Sequence, residues 1–320
     1  MAKIEEVEQA RNSIQDIIHK TPIIHSQSLQ EKWGRRVFFK AEHLQKTGSF
    51  KIRGAANAVT NAASDGATLV TAASSGNHGQ AVAYVAAELG ISSVIVVPTD
   101  ASPAKVAAIK AYGGQVEYCG TTSAERIPHA KALAKQQGGV YIPPYDHRDI
   151  IAGQGTAGLE IIEQMTDVDA IVVPVGGGGL ISGILTAVKA KRPDVLVIGA
   201  EPALASDTAL SLGRGKITAI GPTATIADGL RTSQPGDLTF PILSELLDGL
   251  VLVEEEEIIE AMRDIAVRTK QLVEPSGAVA AAAVMSGKAG APDQTIVAVI
   301  SGGNVDLPRF AALLSATGNE

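Results

Sequence analysis

Cysteine is almost absent from the sequence. Among 320 residues there is one, Cys119, so no intramolecular disulfide can form and no thiolate cluster is available to bind zinc. Aromatic residues are also scarce, at 3%, so the core must be built from Ala, Val, Ile and Leu. This composition favours helices packed on a parallel sheet over an aromatic-rich sandwich. A single cysteine also suits a reducing compartment, and we expect a cytoplasmic protein.

The sequence lacks an excess of basic residues and a membrane span. It has 27 Lys and Arg against 34 Asp and Glu, a net charge of -7, which disfavours binding to nucleic acid. The stretch Met1–Asn12 is charged and amphipathic and does not resemble a secretion signal. The uncharged stretch Ala170–Val188 approaches the length of a spanning helix, but Pro174 and four glycines would break that helix at its centre. We therefore expect a buried strand, a glycine loop and a helix there.

Apolar β-rich runs alternate with helical patterns along most of the chain. The predicted strands are Arg36–Lys40, Thr68–Ala72, Ser93–Pro98, Gln115–Tyr118, Asp169–Val175, Val195–Ala200, Leu250–Val253 and Thr295–Ile300. The predicted helices are Gly79–Leu89, Pro103–Tyr112, Ser123–Gln137, Ile151–Met165, Leu180–Lys191 and Glu255–Gln271. Alternation of this kind predicts βαβ units and parallel sheets, which is the α/β fold class.

The run VVPVGGGGLISGI places four consecutive glycines, at 176–179, between a predicted strand and a predicted helix. Glycines let successive backbone N–H groups face one concavity, and the helix adds its positive end, so a phosphate is the expected ligand. The alternative is a loop that needs unusual dihedral angles or close packing. A literal G-x-G-x-x-G occurs at Gly153, Gly155 and Gly158, but no buried strand precedes it, so we do not expect it to bind a dinucleotide.

Two further segments begin predicted helices. In TGSFKIRGAANAV, Ser49 is the predicted N-cap and Lys51 lies in the first turn. A partly desolvated lysine at the positive end of a helix has its charged form disfavoured, as an amine nucleophile requires, although a surface lysine is the alternative. The segment TAASSGNHGQAVAY follows a predicted strand and offers hydroxyls and bare N–H groups that suit a carboxylate, or it forms a simple strand-to-helix turn.

Seven motifs, in this order, resemble those of the fold-type II pyridoxal-phosphate enzymes, specifically the serine racemase and serine/threonine dehydratase family. They span about Thr21 to Asp306 and read GSFKIRGA, SSGNHGQA, IAGQGT, PVGGGG, IADG, EPSG and SGGNVD. The resemblance implies two three-layer domains like those of tryptophan synthase β, with a small domain (69–146) inserted into a large one (1–68 and 147–320). It also implies a homodimer.

The resemblance assigns roles to residues that bind pyridoxal 5'-phosphate. Lys51 is implied to bind its aldehyde carbon, Phe50 to pack on its ring, Asn77 to bind its 3-hydroxyl and Ser301 to face its pyridine nitrogen. The phosphate is implied to lie on Gly176, Gly177, Gly178 and Gly179.

Substrate and cation ligands are implied in the same way. The substrate carboxylate is expected on Ser74, Ser75, Gly76, Asn77 and His78, with Ser75 as a catalytic residue on the face opposite Lys51. Arg126 would bind a side-chain carboxylate, or it is a surface cation. Glu201, the Ala205 carbonyl and Asp207 suit Mg²⁺ or Ca²⁺ by analogy with the family. Without the resemblance, these two acids would be read as an exposed loop.

The implied function is a lyase that eliminates water from L-serine or L-threonine to give a 2-oxo acid and ammonia, with serine racemisation as a second activity. A threo-3-hydroxyaspartate dehydratase has the same cofactor and a different acid as substrate. A phosphate-ligand binding protein without catalysis is the alternative from another class. The expected partner is a small amino acid, with no nucleic acid and no membrane.

Overall fold

The structure, a computed structural model, describes residues 3–315. Its strands are β1 (Ile23–Ile24), β2 (Arg36–Ala41), β3 (Leu69–Ala73), β4 (Ser92–Val97), β5 (Gln115–Tyr118), β6 (Val140–Tyr141), β7 (Ala170–Pro174), β8 (Leu196–Pro202), β9 (Gly249–Val253) and β10 (Thr295–Ile300). Its helices are α1 (Ile4–Ile14), α2 (Gln27–Trp33), α3 (Lys51–Ser64), α4 (Asn77–Glu88), α5 (Pro103–Ala111), α6 (Ser123–Gln136), α7 (Arg148–Gln164), α8 (Gly179–Lys191), α9 (Asp207–Arg214), α10 (Thr239–Leu246), α11 (Glu255–Thr269), α12 (Pro275–Met285) and α13 (Leu307–Ser315).

The strands form two sheets. The larger has six strands in the order β1-β2-β10-β7-β8-β9, and the smaller has four in the order β5-β4-β3-β6. All neighbouring strands are parallel except the two-residue β1, which pairs antiparallel with β2. The predicted α/β class with two mostly parallel sheets is confirmed.

Helices cover both faces of the larger sheet. Along β7, Ile171 and Val173 pack in one core with side chains of α7, α8 and α10, whereas Val172 packs in a second core with α11 and α12. This alternation follows from the two-residue period of a strand. Because both faces are covered, β7 and β10 are apolar along their length, as a parallel strand requires.

The smaller sheet is formed from strands within residues 69–141. On one face, β3 and β4 pack with α3, α4 and α5. On the other face lies α6, where the Thr71 hydroxyl donates to the Ala130 carbonyl at 2.8 Å. The domain boundaries, 1–68 with 147–320 and 69–146, stay a prediction, and residues 1–2 and 316–320 lie outside the described part of the chain.

The uncharged stretch 170–188 forms β7, the glycine loop and most of α8, as predicted. Within residues 3–315, no helix is both long enough and apolar enough to cross a bilayer.

Some elements were not predicted. Helix α12 was missed because its AVAAAAV run is apolar on every side, so it has no helical periodicity, and it is buried throughout. Strand β6 has only two residues and lies in a segment that was predicted to be a turn-rich break. The G-x-G-x-x-G motif lies inside α7, where its glycines allow neighbouring helices to approach closely.

Candidate active site

The carboxyl ends of strands from both sheets meet at one cavity of about 500 Å³. Ser74 follows β3, the glycine loop follows β7 and Ser301 follows β10, which is where open parallel sheets place ligands. The cavity brings together every residue predicted to bind cofactor or substrate: Phe50, Lys51, Ser74, Ser75, Gly76, Asn77, His78, Arg126, Gly176, Gly177, Gly178, Gly179 and Ser301. The three predicted cation ligands do not line it.

Lys51 is the first residue of α3, and its amine lies in the cavity. Its Nζ donates to the Pro144 carbonyl at 2.8 Å and lies 5.1 Å from the centre of the Phe50 ring. Burial lowers the pKa of Lys51 to about 8, against a smaller opposing effect of Glu274. A substantial neutral fraction is therefore present near neutral pH, as a nucleophilic amine requires.

The predicted N-cap of this helix was wrong. Phe50, not Ser49, occupies that position. Ser49 instead forms an isolated β-bridge with Gly302, and the Phe50 N–H donates to the Ser301 carbonyl at 3.0 Å. Backbone pairing with the segment after β10 holds Ser49 away from the helix end, so the start of α3 is anchored to the edge of the cavity.

Neighbouring side chains leave no room for substituents on the glycine loop. A Cβ added to Gly177 would lie 2.5 Å from the Tyr145 ring, and one added to Gly179 would lie 2.9 Å from the Tyr145 Cβ. Gly178 has a φ of +88° and packs against Thr239, whose hydroxyl donates to the Gly177 carbonyl at 2.8 Å. The loop is thus held from both sides and leads directly into the N-terminus of α8, where free N–H groups favour an anion.

Asn77, Glu274 and Asn304 form a hydrogen-bonded chain in the cavity. The Asn77 side-chain amide donates to Glu274 Oε1 at 2.7 Å, and the Asn304 amide donates to Asn77 Oδ1 at 2.8 Å. Burial raises the pKa of Glu274 to about 8. Glu274 was not assigned a role from the sequence, although it belongs to the EPSG motif. Its only local signal was an acid directly before a proline at a helix start.

The segment 74–78 forms the turn between β3 and α4. The Gly76 N–H donates to the Ser74 hydroxyl at 3.2 Å. His78 is buried, its Nε2 lies 2.9 Å from the Ile142 carbonyl, and burial lowers its pKa to about 3. The imidazole is therefore neutral, and the acceptor at Ile142 places its proton on Nε2.

Arg126 lies in the first turn of α6 and lines the cavity from the side of the smaller sheet. Its Nη2 donates to the Ser123 hydroxyl at 3.3 Å. The buried Nε and Nη1 atoms have no hydrogen-bond partner among residues 3–315. Burial lowers the pKa of Arg126, although the group stays charged at any working pH.

Glu201 and Asp207 form a separate buried acidic pair. The Glu201 carboxylate accepts the N–H groups of Thr208 and Ala209 at 3.0 and 2.9 Å, and Ala205 is buried in the short turn Ala203–Ala205 between the two acids. Burial raises the pKa of Glu201 to about 8 and that of Asp207 to about 6. No cluster of three or more His, Cys, Asp or Glu side chains suited to a metal occurs in the described part of the chain.

The cavity fits pyridoxal phosphate by its chemistry. A lysine amine with a lowered pKa shares it with a glycine loop at a helix N-terminus, where side chains are sterically excluded. The amine matches the aldehyde carbon and the loop matches the phosphate. The Glu201 and Asp207 pair fits a cation less completely, because it provides two buried acids and no third acidic ligand.

Comparisons with known proteins agree with this chemistry. A family described as "Pyridoxal-phosphate dependent enzyme" matches residues 14–302. The chain is 46% identical to a serine racemase from Arabidopsis thaliana, over 96% of this chain and 94% of the relative. It is 40% identical to an L-threo-3-hydroxyaspartate ammonia-lyase from Pseudomonas sp, over 98% and 99% of the two chains.

A solved structure of a threonine deaminase from the organism abbreviated T.th. has a TM-score of 0.90 and 44% identity, and the match covers 95% of this chain and 99% of that one. These relatives match across nearly the whole length, so both sheets and the cavity between their strand ends are included. The chain belongs to the family of pyridoxal-phosphate dependent enzymes.

Proposed function

We propose that the protein is a pyridoxal-phosphate dependent ammonia-lyase that eliminates water from L-serine or L-threonine, with serine racemisation as a second activity. The observation that carries this proposal is that Lys51, whose amine has a pKa of about 8, shares one cavity with the glycine loop 176–179. The relatives named as serine racemase and threonine deaminase support the choice of substrate.

The residues that hold the cofactor follow from their places in the cavity. The glycine loop binds the phosphate through N–H groups at the start of α8, and Phe50 packs on the ring. Asn77 binds the 3-hydroxyl, and the neutral hydroxyl of Ser301 faces the pyridine nitrogen. When bound, pyridoxal phosphate supplies an electron sink that allows the bond to the α-hydrogen of an amino acid to break heterolytically.

Lys51 and Ser75 move protons. Once the substrate amine has replaced it, the Lys51 amine is free to take the α-proton, and its lowered pKa keeps a neutral fraction available near neutral pH. Ser75 delivers a proton on the opposite face, which gives the mirror-image amino acid. Loss of the β-hydroxyl instead of reprotonation leads to the 2-oxo acid and ammonia.

The turn 74–78 binds the substrate carboxylate. Its residues precede and begin α4, so N–H groups at a helix N-terminus face the anion. The neutral His78 adds no charge of its own, which leaves the local field to the helix and to Lys51.

A second candidate is a threo-3-hydroxyaspartate ammonia-lyase. The observation that favours it is Arg126, whose Nε and Nη1 are buried without a hydrogen-bond partner in the described residues. A side-chain carboxylate in the cavity would accept from both atoms, because a guanidinium binds carboxylates as a fork. The relative from Pseudomonas sp supports this candidate.

We further propose that Glu201, the Ala205 carbonyl and Asp207 bind Mg²⁺ or Ca²⁺. Two buried acids with raised pKa values lack a countercharge, and a cation would supply it. A homodimer, a cytoplasmic location and the domain boundaries given above complete the proposal.

The test is one product assay on three substrates. Purified protein loaded with pyridoxal phosphate is given L-serine, L-threonine and threo-3-hydroxyaspartate, and 2-oxo acid, ammonia and D-serine are measured. We expect turnover of L-serine or L-threonine that Lys51→Ala abolishes. The matched control is Lys20→Ala, whose side chain is exposed and pairs with Glu163, and it should retain full activity.

Two outcomes would change the assignment. A strong preference for threo-3-hydroxyaspartate that disappears in Arg126→Ala would establish the second candidate. A protein that binds pyridoxal phosphate, is not covalently labelled at Lys51 after borohydride reduction and turns over none of the three acids would be a binding protein without catalysis.

A further inference from the structure

Four buried charges lie behind the helix that begins at Lys51. The side chains of Lys40, Glu42 and Arg53 are completely buried, and Glu160 is 7% exposed. Arg53 Nε donates to Glu42 Oε2 at 2.7 Å, and its Nη1 donates to Glu160 Oε1 at 2.7 Å. Apolar replacement of buried ion pairs is often neutral or stabilising, so stability alone does not explain this cluster.

Arg53 joins three segments of the chain. Its Nη2 donates to Glu42 Oε1 and to Glu160 Oε2, both at 2.8 Å, and its Nη1 also donates to the Thr156 hydroxyl at 3.0 Å. Glu42 follows β2, whereas Thr156 and Glu160 are four residues apart on one face of α7. Arg53 is two residues after Lys51, about 200° around the helix, so it anchors the back of α3 while Lys51 enters the cavity.

The charges persist over the working pH range. Burial opposes ionisation of Glu42, but the Arg53 guanidinium outweighs it and lowers the pKa of that carboxyl below its usual value. The two carboxylates together raise the pKa of Arg53 despite its burial. The contact between α3 and α7 is therefore a permanent pair of forked ion pairs.

The same two helices approach each other closely through glycines. A Cβ added to Gly54 would lie 2.5 Å from Gln154 Nε2, and one added to Gly153 would lie 2.5 Å from the Arg53 carbonyl oxygen. Small residues permit a close approach but offer little that prevents sliding along the helix axis. The fork of Arg53 on Thr156 and Glu160 has one register, so it supplies the constraint that the glycines lack.

Helix α7 also connects to both partners of the cofactor site. Pro144, the hydrogen-bond acceptor of Lys51, precedes α7 by four residues. On its other side, α7 packs against α8, where a Cβ on Gly155 would lie 2.8 Å from the Gly183 carbonyl oxygen. Because α8 begins at the glycine loop, the position of α3 on α7 determines how far the Lys51 amine lies from that loop.

We propose that Arg53 is a positioning residue, which clamps α3 to α7 through Glu42 and Glu160 and so sets the distance between the Lys51 amine and the glycine loop. The inference rests on the proposed covalent role of Lys51. It predicts that loss of the clamp slows the reaction of the amine with the aldehyde carbon, which releases water, without weakening the hold of the loop on the phosphate.

Two ligands separate these effects. Pyridoxine 5'-phosphate has no aldehyde, so its dissociation constant measures the phosphate cradle and the ring contacts alone. Pyridoxal phosphate also bonds to Lys51, and the rate of that bond is followed by its visible absorbance and by borohydride trapping. In Arg53→Met, we expect pyridoxine 5'-phosphate to bind within twofold of the wild-type affinity and the bond to Lys51 to form about tenfold more slowly.

Lys40→Met is the matched control. Lys40 is equally buried and equally charged, and it donates to Glu160 at 2.6 Å, to the Thr21 carbonyl and to Gln164, but to nothing in α3 as residues 3–315 are described. Its loss should lower the melting temperature while the bond to Lys51 forms within twofold of the wild-type rate. Glu160→Gln removes one arm of the clamp from the α7 side and should slow that bond by about threefold.

The outcomes decide the matter. The inference is overturned if Arg53→Met and Glu160→Gln both react at the wild-type rate, or if Lys40→Met is slowed as much as Arg53→Met. Should Arg53→Met fail to fold, Glu160→Gln measured against Lys40→Met gives the answer. A wild-type chain that does not react with pyridoxal phosphate overturns the proposed function as well, whereas a reactive wild type with unaffected variants overturns this inference alone.

Discussion

Replacing Gly177 by alanine tests the physical account of the glycine loop. The added methyl group would lie 2.5 Å from three carbon atoms of the Tyr145 ring, well inside van der Waals contact. The ring cannot move freely, because the Tyr145 backbone is itself packed against Gly179. The substitution must therefore displace the loop, the ring or both.

The expected cost is that of overpacking, about 1–3 kcal/mol. Unfolding entropy per residue is about 2.1 cal/mol/K, so for 320 residues this cost lowers the melting temperature by roughly 1.5–4.5 °C. Thermal unfolding of the cofactor-free protein measures it. In a Tyr145→Ala background the ring is gone, and the same Gly177→Ala change should cost less by about 1 kcal/mol or more.

Gly213→Ala is the control for this experiment. Gly213 lies in α9, has nothing within 4 Å of an added Cβ and does not need a positive φ. Alanine should stabilise the helix there by about 0.5–1 kcal/mol. If Gly177→Ala leaves the melting temperature unchanged, or costs as much with Tyr145 absent as with it present, the steric account is refuted.

Three further predictions concern the cation, the lysine and the loop. The raised pKa values of Glu201 and Asp207 mean that their protonated forms stabilise the fold below their ordinary pKa, and this contribution is lost as the pH rises through about 6 and about 8. Excess Mg²⁺ or Ca²⁺ should therefore raise the melting temperature more at pH 8 than at pH 5.5, and equal melting with chelator at both values would count against a cation site. The rate at which Lys51 reacts with pyridoxal phosphate should rise with pH around a midpoint near 8, and a midpoint near that of a free lysine would contradict its desolvation. Thr239→Val removes the hydrogen bond to the Gly177 carbonyl and should cost about 1 kcal/mol in thermal unfolding, whereas no change would mean that the bond does not hold the loop.

Local patterns in the sequence were sufficient where an element is apolar with a clear period or is bounded by glycine. Strand β10 was predicted with its observed bounds, Thr295–Ile300, and the run at 176–179 was predicted as the loop between a strand and a helix. These features depend on residues that are adjacent in the chain. The N-cap at Ser49 failed because its determinant is distant: the backbone of Gly302 pairs with Ser49 and moves the helix start by one residue.

The G-x-G-x-x-G at 153–158 shows why spacing needs context. In a dinucleotide site these glycines turn the chain after a strand, whereas here all three lie inside α7. Gly153 faces the backbone of α3, and Gly155 and Gly158 face α8. The same spacing places small residues along a helix surface, where two neighbouring helices need close approach, so absence of a preceding strand correctly argued against nucleotide binding.

The charged cluster around Arg53 was beyond sequence reasoning for a different reason. Its members are separated by as many as 118 positions, and each alone reads as an ordinary surface charge. Glu42 was predicted to lie just after a strand and Glu160 within a helix, so nothing local distinguished them from the solvated acids elsewhere in the chain. Only the packing of α3 on α7 removes water from all of them together, and at that point each charge needs the others. A charge whose partner is set by tertiary structure becomes recognisable only when the helix crossing is known, and for this chain that crossing is the one that carries Lys51.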